Sequence, residues 1–198
     1  MQVTILSESN YLEAMFGIGL SYGLTSDITF EQFKGMPELQ ERIHGIAVKN
    51  APKGKGHNKF MYQMGVVIDA DLPRYMWPEL DQYKIATVTQ SESTMHTIHK
   101  REITREDFEL DYFIDTDNSI EQLNKIRNNY IETKNKMWWR ALIQILPQSY
   151  LQRRIWTGDY ANLRNIIDQR TGHKLKEWAV FIDAVRSQCE HPEFLPCA

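Results

Sequence analysis

Cysteine is scarce in this sequence, with two in 198 residues, Cys189 and Cys197. Both lie near the C-terminus with no histidine or cysteine partner at zinc-like spacing, so neither a disulfide framework nor a zinc ribbon is expected, and the site reading includes no metal. Long apolar runs are also missing. No segment approaches the roughly 18 apolar residues a membrane span needs, and Met1-Gln2-Val3-Thr4-Ile5-Leu6 lacks a basic stretch followed by an apolar core. A cytoplasmic protein, in a bacterial cell or a phage-infected host, is the expectation. Basic excess is absent too: 23 Lys and Arg against 26 Asp and Glu give a net charge of −3, which disfavours general binding to duplex DNA. Neither internal repeats nor low-complexity tracts are visible.

The composition is that of a globular chain, 42% hydrophobic and 25% charged. Its length suits one domain over residues 1–198. Val3 to Leu6 reads as a strand, and Thr29-Phe30-Glu31-Gln32 as a capping box opening a short helix. Ala51-Pro52-Lys53-Gly54-Lys55-Gly56 reads as a mobile loop. Phe60, Tyr62, Met64 and Val66 alternate with Met61, Gln63 and Gly65, predicting a strand with one buried face just after His57. Ser119-Ile120-Glu121-Gln122 resembles a second capping box. Ile120, Leu123, Ile126, Tyr130, Met137, Ala141 and Ile145 then recur at helical spacing up to Pro147, predicting one long helix of roughly 40 Å. Tyr150 to Thr157 reads as a strand that Gly158-Asp159 turns into a helix, which Gly172 ends. A final helix carries Leu175, Trp178, Ala179, Ile182 and Val185, and the tail from His191 to Ala198 closes it. The class is α+β, helix-rich with a small antiparallel sheet and one long central helix.

Three groups of residues suggest chemistry. His57 places a polar group at the start of the predicted strand, as a ligand contact or as an ordinary loop histidine. Asp81 to Arg101 is dense in hydroxyls, amides and cations, including Tyr83, Lys84, Gln90, Ser91, Ser93 and His96. Such groups suit a phosphate and a base edge, or a wet loop. Asn162, Asn165 and Gln169 share one helix face, with Arg170 at its end. Of the five tryptophans, Trp77, Trp138, Trp139, Trp156 and Trp178, at least three are expected in the core, with Trp138 and Trp178 on apolar helical stripes.

Ile145-Leu146-Pro147, Trp156-Thr157, Leu163, Asn165 and Arg170 resemble, in order and spacing, the flavin-dependent thymidylate synthases. His57-x-x-Phe60-x-Tyr62-x-Met64 is similar to that family's flavin-contacting histidine segment. Asp81-x-Tyr83-Lys84, Ser93-Thr94-Met95-His96 and His173-Lys174-Leu175-x-Glu177-Trp178 resemble a divergent branch found in phages and bacteria. The family's Arg-His-Arg triplet is replaced by Gln82-Tyr83-Lys84, and Gln90, Ser91 and Met95 stand where Asn, Glu and Arg are usual. The resemblance implies a homotetrameric enzyme that binds FAD and methylates C5 of a pyrimidine nucleotide such as dUMP, with methylenetetrahydrofolate as carbon donor. Another one-carbon or reductive modification of dUMP or dCMP, or a silent nucleotide-binding protein, are the alternatives. It further implies Arg170 and Ser93 as catalytic residues, and His57, Lys84, Asn165 and His173 as cofactor contacts. Tyr83, Gln90, Ser91, Ser93 and Arg170 are the implied substrate contacts.

Overall fold

The computed structural model describes residues 1–112 and 114–196, so Cys197 lies outside the described residues. In chain order the elements are β1 (Gln2–Ser9), α1 (Tyr11–Ser21), α2 (Phe30–Lys34), α3 (Pro37–Asn50), β2 (Gly65–Pro73), α4 (Trp77–Leu80) and β3 (Val88–Ser91). There follow α5 (Thr94–Thr97), α6 (Asp117–Thr133), α7 (Lys136–Ile145), β4 (Leu151–Asp159), α8 (Tyr160–Arg170) and α9 (Lys176–Gln188). Four strands form one antiparallel sheet in the order β1-β2-β4-β3, and the fold is α+β and helix-rich, as its sequence pattern indicates.

The chain forms two compact units woven from separate segments. One contains Met1–Gln2, Ala70–Gln82 and Thr89–Ile155; the other contains Val3–Asp69, Tyr83–Val88 and the chain from Trp156 onward. The first has a core of Ile98, Ile103, Phe108, Leu123, Leu142, Leu146 and Tyr150. In the second, Met15, Phe33, Ile43, Met61, Leu163, Ile166, Ile167, Trp178 and Phe181 are buried apolar side chains. Burying such side chains stabilises each by about 1.5–3 kcal/mol.

Local chemistry explains most of the elements. The box at Thr29 forms as expected: its hydroxyl accepts from the Gln32 amide, and the Gln32 side chain accepts from the Thr29 amide. Pro37 sits in the first turn of α3, where a missing N–H is harmless. Asp159 caps α8 by accepting from the Asn162 amide at 2.8 Å, and Gly172, at φ 74°, follows the helix end.

Three expectations are corrected. Residues 60–64 are not a strand: Lys59–Tyr62 is a 3₁₀ turn with adjacent Phe60 and Met61 both buried, and Tyr62 is exposed. The strand starts at Gly65, where Val66, Ile68, Ala70 and Leu72 alternate inward. Asp69 and Asp71 lie between them on the other face, so the period-two pattern belongs to this later segment. Ser119 is not an N-cap, since α6 already begins at Asp117 after Thr116. The long helix is two helices. Lys134 adopts φ 55°, the Asn135 amide donates to the Thr133 hydroxyl, and the Asn135 side chain caps Met137 at 3.0 Å. Asn135 therefore restarts a helix that the apolar spacing alone carries through. Trp77, Trp156 and Trp178 are buried as core residues, whereas Trp138 is only half-buried.

Candidate functional site

Helix α8 buries Leu163, Ile166 and Ile167, which leaves Asn165, Asp168 and Gln169 on its exposed face and Arg170 in its last turn. Asn162, expected on the same wet face, is buried instead. After Gly172 the chain reverses into α9, whose first turn places Trp178 under Arg170: the guanidinium carbon lies 4.7 Å from the indole centroid. That is cation–π distance.

Hydrogen bonds then join Asn165, Gln169, Tyr83 and Arg170, all singled out in the sequence, and bring His173 alongside. Gln169 Nε2 donates to Asn165 Oδ1 at 2.9 Å. The Tyr83 hydroxyl donates to Gln169 Oε1 at 3.1 Å and accepts from Arg170 Nε at 3.1 Å. Arg170 Nη1 comes within 3.3 Å of His173 Nε2. Because the Tyr83 hydroxyl is donor and acceptor at once, each bond polarises the next. His173 is contested: the Leu175 amide lies 3.2 Å from Nδ1. A neutral imidazole offers one lone pair, so it can accept from Leu175 or from Arg170 but not from both. With Leu175 served, Nε2 carries the proton and Arg170 meets a donor there.

Asn165 also lines a groove of about 360 Å³ with Asn58, Tyr62, Ile85, Arg164 and Asp168. Tyr62 and Ile85 are 57% and 80% exposed, so the groove has apolar walls beside its amides and charges. The sequence pattern missed both residues, because it assigned Tyr62 to the buried face of a strand and Ile85 to a wet loop. His57 is exposed and lines a second cleft, of about 470 Å³, with Gly17, Tyr22, Asn50, Phe60 and Gln63. Lys84 is exposed next to Tyr83. The remaining predicted residues belong to the other unit. Gln90 and Ser91 are exposed on β3. Ser93 is half-buried before α5, where its carbonyl accepts from the His96 and Thr97 amides at 2.9 and 3.0 Å.

A buried cluster without a sequence signal surrounds Tyr160. Its hydroxyl donates to Glu8 Oε1 at 2.8 Å and accepts from the His191 amide at 3.1 Å. Burial first, then the nearby Glu8 carboxylate, pushes the Cys189 thiol up to about 12. A thiol so held is not a nucleophile near neutral pH. Burial also raises the Asp159 carboxyl above the usual aspartate range, against the lowering effect of the amide bonds it accepts.

No family model matches the sequence, and no curated protein matches it. Solved structures do match. The fold is similar to that of Thymidylate Synthase X from Helicobacter pylori, solved with FAD and dUMP. The TM-score is 0.73 at 15% identity, over 98% of this chain and 97% of that one. A second structure from Helicobacter pylori, a flavin dependent thymidylate synthase complexed with FAD and dUMP, gives a TM-score of 0.74 at 15% identity over 98% of both chains. The likeness establishes a shared fold across nearly the whole chain.

Proposed function

We propose that this protein is a flavin-dependent enzyme that modifies a pyrimidine nucleotide, with C5 methylation of dUMP from methylenetetrahydrofolate as its reaction. The observation that carries the reading is the connected network of Asn165, Gln169, Tyr83 and Arg170, formed in a fold shared with proteins solved with FAD and dUMP. Fold alone does not carry a reaction, so the reading rests on this network and its groove.

The cofactor contacts in this reading are the side chains that the resemblance gives to the flavin. Exposed His57, Lys84 and Asn165 offer an imidazole, an ammonium and an amide, the groups that hold pyrophosphate oxygens and ring-edge carbonyls. When bound, the flavin supplies the hydride and relays the one-carbon unit. The chain's own part is to bind, orient and polarise. Arg170 holds an anionic oxygen or a pyrimidine carbonyl, Tyr83 steers Arg170, and His173 beside it is a cofactor contact. Tyr62 and Ile85 exclude water from one side of a ring lying in the groove beside Asn165. Arg170 stands at the reacting ring in this reading, and Gln90, Ser91 and Ser93 keep the substrate roles, with Ser93 catalytic, that the resemblance implies for them. The reading treats residues 1–198 as one cytoplasmic domain working as a homotetramer.

The test uses the purified full chain. Yellow protein that releases flavin on denaturation, and that converts dUMP to a product heavier by one methyl group when given reduced FAD and methylenetetrahydrofolate, is the expected outcome. Turnover of dCMP but not dUMP would redirect the reading to another one-carbon modification. Colourless protein that takes up no added FAD would overturn it. That outcome would favour a silent nucleotide-binding protein, a reading supported by Gln82-Tyr83-Lys84 in the place of Arg-His-Arg and by the bond that already occupies Arg170 Nε.

A further inference from the structure

Away from that network, the second unit brings His44 on α3 together with His191, which precedes the 3₁₀ turn Pro192–Phe194 after α9, and with Glu193 inside that turn. One ligating atom from each residue lies within 4.8 Å of the other two. His191 Nδ1 is 3.2 Å from Glu193 Oε1, and His44 Nε2 is 3.5 Å from the same oxygen. These separations are long for charge-assisted N–H···O bonds, which run to about 2.7–2.9 Å. They lie close to the edge of a tetrahedron about a cation. Bonds of about 2.0–2.1 Å around zinc set neighbouring ligand atoms about 3.3–3.4 Å apart.

Both rings are held in place from behind. His44 Nδ1 meets the Tyr11 hydroxyl at 3.0 Å, which leaves Nε2 facing Glu193. The His191 ring stacks on Tyr11 at 3.8 Å and 16°, and its backbone amide is tied to Tyr160. Phe194 packs against both imidazoles, at 5.3 and 5.7 Å. A partner on the non-ligating nitrogen that orients the imidazole is the usual outer shell of a metal-binding histidine. The three side chains are 29%, 19% and 33% exposed, so an ion can enter and water can take the remaining position.

The geometry points to a divalent transition-metal site at His44, His191 and Glu193, with Tyr11 as its outer-shell support. Two imidazoles and one carboxylate select zinc, cobalt or nickel over calcium or magnesium. The bound ion clamps α3 to the segment after α9, and its effect is on stability rather than on the nucleotide chemistry.

Chelator-treated full-length protein titrated with zinc in a calorimeter should bind one ion per chain with a Kd of about 1 µM or tighter. His44→Gln and Glu193→Gln should each weaken binding at least about tenfold, and Tyr11→Phe by about tenfold. His96→Gln, a change at an exposed histidine of the other unit, should bind as the wild type does. Zinc should raise the Tm of the wild type and leave that of Glu193→Gln unchanged. If the two ligand variants fail to fold, the cobalt spectrum of the wild type decides. Intense tetrahedral bands support the site, and a spectrum like that of the free aqueous ion overturns it. Absence of saturable binding, equal affinity in the ligand variants, or loss of binding in His96→Gln would also overturn it.

Discussion

The guanidinium of Arg170 lies 4.7 Å above the buried Trp178 ring, so the last cation of one helix rests on the first turn of the next. Its Nε is spent on Tyr83, and the terminal nitrogens carry whatever recognition it provides. Arg170→Lys keeps a positive charge near the C-terminal dipole of α8 but removes the planar fork and the Tyr83 bond. We expect dUMP affinity, measured by titration calorimetry, to fall at least about tenfold, with a stability loss of about 1 kcal/mol. Equal affinity and equal stability in the two proteins would reassign Arg170 to the helix terminus.

Tyr83→Phe tests the steering role. The hydroxyl is half of two hydrogen bonds, to Gln169 and from Arg170, in a largely buried ring. Its loss should lower the unfolding free energy in urea by about 1–2 kcal/mol and weaken dUMP binding. Lower stability with unchanged binding would confine Tyr83 to a structural part.

Two glycines should respond in opposite directions to alanine. A Cβ on Gly158 would lie 2.3 Å from Cη2 of Trp156, a buried ring with no room to move. Gly158→Ala should therefore destabilise by about 2–3 kcal/mol, or prevent folding. At Gly45, inside α3, the added Cβ meets nothing within 4 Å. Gly45→Ala should stabilise by about 0.5–1 kcal/mol, read from the urea midpoint. A neutral Gly158→Ala would show that Trp156 repacks freely.

Asp159 sets a pH dependence. Burial raises its carboxyl, so between the ordinary aspartate value and its folded value the native state binds more protons than the unfolded state. Stability contributed by this group therefore falls as pH rises through that window, and the charged carboxylate is a burden at neutral pH. Asp71, raised by burial as well, acts in the same direction. Asp159→Asn keeps an equally good cap and removes the titration. The stability of Asp159→Asn relative to wild type should thus be highest near pH 7 and shrink as the pH is lowered toward 4. A constant difference would mean that Asp159 does not titrate abnormally.

Lys134 holds φ 55° at the break between α6 and α7, a conformation that costs a residue bearing Cβ about 1 kcal/mol. Lys134→Gly should raise the thermal midpoint, with a gain of about 0.5–1 kcal/mol. A lower midpoint would show that the lysine side chain contributes more than the backbone strain removes.

Much of the local structure was legible because it depends on neighbours in the chain. Thr29 and Gln32 cap a helix through atoms three residues apart, and Asp159 does the same for α8. The glycine after Arg170 ends that helix because it accepts a positive φ. Alternating or helical apolar spacing fails where two signals compete. At Lys134–Asn135 capping chemistry overrides an unbroken helical stripe, and at Phe60–Met61 consecutive burial in a 3₁₀ turn mimics a strand.

The sequence by itself determined the caps at Thr29 and Asp159, the helix-rich α+β class and the polar side chains on offer. Only the tertiary structure decided which of them meet. Tyr83 and Arg170 are 87 positions apart, and their bond depends on α8, α9 and the segment after Gln82 packing together. The same holds for Trp178 beneath Arg170, for Tyr62 and Ile85 along one groove, and for His44 beside His191 and Glu193. Such contacts follow from the burial of apolar faces over the whole unit, a non-directional force that leaves no short-range pattern in the chain.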